Sequence, residues 1–121
     1  MAVISSHALD AVRGGHAGGL EVVLRRILPS GEAVTLFRTV TDEGGRLSET
    51  VSVAAGHREA EYELAFATAA FLARQGPIPD APSVMRALVV RFAMPDPDAR
   101  YHFPISITPA SCSVLAIAPG L

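Results

Sequence analysis

Residues 101–108 read YHFPISIT, and their alternation decides the fold class. Tyr101, Phe103, Ile105 and Ile107 fall on one side of an extended chain; His102, Pro104, Ser106 and Thr108 fall on the other. Successive side chains of a strand point to opposite faces, so this segment is a strand with one apolar face. Proline has no N–H to donate to a ladder, so Pro104 marks a sheet edge or a bulge.

Outward from that strand the same grammar repeats. Residues 112–118 (CSVLAIA) form a last strand, and residues 86–94 (RALVVRFAM) an earlier one, with a turn at Pro95-Asp96-Pro97-Asp98 between them and residue 101. Residues 62–66 (YELAF) alternate strictly. From Ala67 the pattern changes: ATAAFLARQ is made of helix formers and Gly76-Pro77 closes it, which predicts one short helix. Pro77, Pro79 and Pro82 make residues 77–82 a loop. Residues 33–40 (AVTLFRTV) are rich in β-branched and aromatic residues and read as a strand, as do residues 20–28 (LEVVLRRIL). Residues 29–31 and 42–45 are turns, with Gly44-Gly45 permitting positive φ. Gly14, Gly15, Gly18 and Gly19 mark a loop after the short mixed segment 3–9 that Asp10 ends. About seven or eight short strands with frequent turn signals predict a mainly β protein, an antiparallel β-sandwich with one short helix.

A chain of 121 residues has the size of one ordinary domain, residues 1–121. Hydrophobic residues make up 50% of it, which points to surface buried against copies of itself. The net charge is −2 and no stretch interleaves basic and aromatic residues, so no nucleic acid is expected as a partner. No apolar run is long enough for a membrane helix, and the first twelve residues lack the pattern of a secretory signal. The expectation is a cytoplasmic protein. All ten basic residues are arginine, which excludes Schiff-base chemistry and a lysine base. The single cysteine, Cys112, excludes an intrachain disulfide and a cysteine zinc motif.

Four histidines remain. His16 and His57 stand in glycine-rich or polar loop sequence and read as surface residues. His7 follows Ser5-Ser6, and His102 lies opposite an apolar strand face. Each taken singly reads as a packed core histidine, yet imidazole is also the side chain suited to acid–base work near neutral pH. Neither falls in a metal-binding spacing such as HxH or HExxH, so no metal is expected. Arg46 follows the Gly44-Gly45 turn; it is either a solvated turn residue or a rigid planar donor to a carboxylate, enolate or imide oxygen. Cys112 has no His or basic neighbour in sequence, and Ser5, Ser6, Ser111 and Ser113 lack a GxSxG elbow.

Taken in order, SSHALDAVRGGHAGGLEVVL, TVTDEGGRL, YELAFATAAFLARQG and VVRFAMPDPDARYHFPISITP resemble successive segments of the transthyretin-like 5-hydroxyisourate hydrolases, and together they span nearly the whole chain. The resemblance implies a transthyretin-like sandwich of about eight strands, a homotetramer with active sites between subunits, a small-molecule substrate and no cofactor. It places His7, Arg46 and His102 at the family's catalytic His, Arg and His. Transthyretin itself, the hormone carrier, lacks these groups, which argues for an enzyme over a carrier. The chain departs from the family pattern at its end: Leu115, Ala116, Ile117 and Ala118 stand where the hydrolases carry a Tyr-Arg-Gly-Ser tail. His16 replaces a usual Pro, and Ala67 and Ala69 replace Asp and Gly. The expectation is a hydrolase-like enzyme that opens a cyclic amide or imide, with doubtful activity on 5-hydroxyisourate. The alternatives are a repurposed biosynthetic enzyme, such as a cyclase or other non-hydrolytic catalyst, and a non-catalytic small-molecule binder on the same fold.

Overall fold

The computed structural model describes residues 1–54, 57, 59–76 and 83–118. Its elements run β1 (Ala2–Asp10), β2 (Gly15–His16), β3 (Glu21–Ile27), β4 (Ala33–Val40), β5 (Arg46–Val51), β6 (Glu61–Phe66), α1 (Thr68–Arg74), β7 (Leu88–Ala93), β8 (Arg100–His102), β9 (Ile105–Ile107) and β10 (Cys112–Val114). They form two sheets, one ordered β4-β3-β6-β7, the other built around β1. Alternation generates the layers. Ala2, Ile4, Ser6, Ala8 and Asp10 of β1 are buried, as are Tyr62, Leu64 and Phe66 of β6. Phe92 of β7 meets Phe103 across the interior at 4.7 Å between ring centroids. Burying such side chains stabilises the sandwich by about 25 cal/mol per Å² of apolar area removed from water.

The sheet built around β1, called the first sheet below, positions everything that follows. On one edge β1 pairs antiparallel with β5 and, farther along, with β2. On its other edge it pairs with β8 and then β9, both parallel. The sandwich is therefore antiparallel except along this edge. The register is the same in both halves, Val3 opposite Arg100 and Ala8 opposite Ile105, an offset of 97 residues each time (100 − 3 and 105 − 8). That offset carries Pro104 opposite His7, and the ladder breaks there for want of an N–H. The expected strand over 101–108 is thus two short strands in one line. Pro104 causes neither a bulge nor an outer edge, because Leu115 N donates to its carbonyl from the far side at 3.1 Å. The buried hydroxyl of Ser6 donates to the Phe103 carbonyl at 2.6 Å and fills part of the gap.

The expected strand at 33–40 and the helix are observed, and Gly76 takes the left-handed conformation (φ 100°) just after the helix. The proline-rich loop at 77–82 lies outside the described residues. β5 went unrecognised in the sequence: in RLSETV only Leu47 and Val51 are apolar and buried, with Glu49 between them, so hydrophobic alternation is too sparse to read. β2, inside the expected glycine loop, was missed because a two-residue strand has no period.

Candidate active site

The inner face of β1 belongs to the core, so Ser5, His7 and Leu9 project from the outer face. Residues directly opposite in neighbouring strands share a face. Ser5 stands opposite Ser48 of β5 and His102 of β8; His7 opposite Arg46; Leu9 opposite His16 of β2. The three residues expected from the sequence therefore lie on one surface of one sheet, within two rows of each other. A cleft of about 440 Å³ is lined by Arg46 and His102 with Ser5, Ser48, Thr39 and Asp42 among others; His7 is not part of its lining.

Arg46 is set beside His7 by the turn that precedes it. One Asp42 carboxylate oxygen, Oδ1, accepts from the backbone N–H of Gly44 and of Arg46, both at 2.9 Å. Gly45 has φ 73°, and a Cβ there would stand 2.4 Å from the carbonyl oxygen of Ala8. Ala8 N donates to Gly45 O at 2.7 Å, and Ala8 O accepts from Ala17 N at 2.9 Å. Only glycine lets the turn close this tightly on β1. The Arg46 guanidinium is exposed and forms no ion pair or hydrogen bond among the described residues.

His102 is held at both ends. Its Nδ1 lies 2.8 Å from Ser5 Oγ, and its backbone exchanges two 2.9 Å hydrogen bonds with Ile117. Nε2 is left as the ring atom available to a ligand. Through these bonds the tail segment 115–118 runs alongside the strand that carries His102, with Leu115 64% and Ile117 51% exposed. The tail thus brings apolar surface alongside the His102 strand, although none of its residues lines the cleft.

His7 takes up a proton less readily than an ordinary histidine. Loss of hydration against the sheet is the largest cause, followed by the Arg46 guanidinium and the His16 ring, with a smaller push from His102; the Gly44 carbonyl acts in the opposite sense. The imidazole of His7 is therefore neutral near pH 7, the form in which it accepts a proton.

His16, expected at the surface, is exposed, but it is not isolated there. Its Nδ1 lies 3.0 Å from His7 Nε2 and the rings stack with centroids 5.2 Å apart at 29°. The signal was present in Asp10 followed by Gly14-Gly15, a hairpin that folds residue 16 back beside residue 9. His57 stays apart from the cluster, its carbonyl accepting from Tyr62 at 3.4 Å. Burial pushes the Cys112 thiol up, which makes it a poor nucleophile. Among the described residues no cluster of His, Cys, Asp and Glu could hold a metal, and no helix is long and apolar enough to cross a membrane.

Comparison with known proteins gives a consistent picture. A 5-hydroxyisourate hydrolase of Halalkalibacterium halodurans is 31% identical over 110 residues, covering 91% of this chain and 92% of that protein. The solved 5-hydroxyisourate hydrolase of Klebsiella pneumoniae superimposes with a TM-score of 0.73 at 30% identity, over 95% of this chain and 98% of that one. Transthyretin from Sparus aurata shares the fold with a TM-score of 0.80 at 22% identity, over 97% of each chain. The model of the HIUase/Transthyretin family matches residues 4–115, and the chain belongs to that family.

Proposed function

We propose that the chain is a hydrolase-like enzyme that opens a small carbonyl-rich heterocycle, a cyclic amide or imide, with water. The observation that carries this reading is the pairing of His7 with Arg46 across β1 and β5, with His102 in the adjacent row of the same face. A neutral His7 draws a proton from water, whose oxygen attacks a ring carbonyl carbon. The negative charge gathers on the carbonyl oxygen, where Arg46, which forms no ion pair among the described residues, donates to it. The ring C–N bond then breaks and the leaving nitrogen takes a proton. His102, oriented by Ser5, is the group placed to supply or steer that proton. None of these steps calls for a cofactor. His7, Arg46 and His102 are the catalytic residues of this reading, and residues 1–121 act as one domain.

The tail narrows the substrate. Leu115 and Ile117 add apolar surface beside His102, so the site favours a larger, more hydrophobic ring than 5-hydroxyisourate. This same feature supports the second reading, a relative repurposed for a biosynthetic or other non-hydrolytic reaction. The test is decay of freshly generated 5-hydroxyisourate, followed by absorbance, for the wild type and for a variant with residues 115–118 rebuilt as Tyr-Arg-Gly-Ser. Weak turnover that rises on rebuilding is expected. Equal, efficient turnover by both would show that the tail does not restrict the substrate.

The same apolar tail motivates assembly. Val114, Leu115 and Ile117 are exposed along the outer strand of the first sheet, and we place them at contacts between copies in a homotetramer whose clefts lie between subunits. Light scattering at micromolar concentration checks this, and a monomer is the result that refutes it.

A further inference from the structure

The site holds a fourth titratable side chain that the proposed mechanism leaves unused. We propose that His16 is a positioning residue for His7: it fixes the plane of the His7 ring and governs when that ring takes a proton. The inference rests on the reading of His7 as the base.

The geometry carries it. An N···N separation of 3.0 Å between two imidazoles requires one nitrogen to donate and the other to accept. The bond exists while the pair lacks at least one of its possible protons. If both rings were cations, two N–H groups would face each other and the bond would be lost. The His16 ring accordingly acts on His7 with the sign that disfavours its cation. Stacking at 29° adds a second restraint, since rotation of His7 about its side chain would break both contacts.

The surroundings offer no relief to a doubly charged pair. Arg46 of β5 and His102 of β8 both act on His7 with the sign that disfavours its cation. Two carboxylates of these turns are otherwise engaged, while Glu49 of β5 lines the cleft with Arg46 and His102. Asp10 is buried and accepts from Val12 N, Arg13 N and the Arg13 side chain; Asp42 Oδ1 holds the backbone of Gly44 and Arg46. Neither imidazole forms an ion pair with a carboxylate among the described residues. His16 reaches this position on a hairpin made for it: Asp10 caps the turn, Gly14 supplies φ 71°, and the β2 pairing sets His16 opposite Leu9, next along the outer face from His7. A depression of about 300 Å³ is lined by His16 with Leu9, Gly15 and Ser106 among others.

The experiment is an NMR titration of the His7 ring in the full chain, with turnover measured across the same pH range on whichever heterocycle the wild type opens. His16→Phe keeps a ring to stack but removes the hydrogen bond and the second charge; His16→Asn keeps a short polar group near the position of Nδ1. In His16→Phe the His7 midpoint moves to higher pH, and the acid limb of turnover follows it with a loss on the order of 10-fold at neutral pH. In His16→Asn, which also lacks the second charge, the midpoint rises as well, while the polar group left near Nδ1 keeps more of the turnover. An unchanged His7 midpoint in folded His16→Phe overturns the proposal, whatever turnover does. A midpoint that moves while the turnover profile does not sustains the pairing and overturns the reading of His7 as the base.

Discussion

Arg38 and Arg91 on one sheet and Arg46 on the other have different neighbours. On the outer face of the β4-β3-β6-β7 sheet, Arg38 pairs with Glu21, and Arg91 pairs with both Glu61 and Glu63. These charges are neutralised by neighbours one strand away, as cross-strand partners usually are. On the outer face of the β1 sheet, Arg46 forms no ion pair among the described residues and stands opposite His7. Arg25 of β3 also forms no ion pair among the described residues; what sets Arg46 apart is the histidine opposite it across β1 and β5. The arrangement is what an anionic oxygen requires, whether in a ligand or developing during a reaction. On the proposed reading, Arg46 serves the reaction while Arg38 and Arg91 serve the sheet.

This contrast can be broken in three places. Removing the imidazole at the centre, His7→Ala, is expected to lower turnover by about 10²–10⁴, the usual worth of a general base, with no change in fold by circular dichroism; unaltered turnover moves the base elsewhere. Arg46→Ala is expected to cost on the order of 10²–10³ in kcat. It also has a second signature. Removing a positive neighbour lets His7 take its proton at higher pH, so the acid limb of the rate profile moves up. A fall in kcat with the limb unmoved would separate Arg46 from His7. On the other sheet, Arg91→Ala should leave turnover unchanged and shift thermal unfolding little, because its carboxylate pairs are solvent-exposed. An Arg91 variant as impaired as Arg46→Ala would erase the distinction between these arginines.

Much of the fold is legible along the chain wherever burial is regular. Ala33–Val40 and the helix before Gly76 follow directly from composition and end signals, and Tyr101, Phe103, Ile105 and Ile107 are all buried as their alternation requires. Illegible are the features that depend on a partner distant in sequence. The parallel pairing of β1 with β8 and β9 leaves no local trace. β5 lies where the apolar residues are too few to show a period, so Arg46 reads as a turn residue although it opens a strand. Resemblance supplied His7, Arg46 and His102 where their own surroundings were equivocal. His16 shows the converse: its glycine-rich setting is that of a loop, and only the closed hairpin brings it to His7.

The break in the ladder at Pro104 also bears on how the molecule comes to be. β1 receives its parallel neighbours from residues 97 positions later, and Ser5–His102 and Ser6–Phe103 are contacts of that same span. Closing so long a loop is entropically slow, and pairings of this kind form late in folding. The sheet β4-β3-β6-β7, whose strands pair with nearer neighbours, has everything it needs before residue 100 is reached. During synthesis the site side of the sandwich thus stays open along one edge of β1 until β8 and β9 arrive, and an unpaired strand edge is where chains join one another by mistake. The interruption by a proline keeps each late-arriving strand to three residues, so neither is long enough to be an effective template on its own.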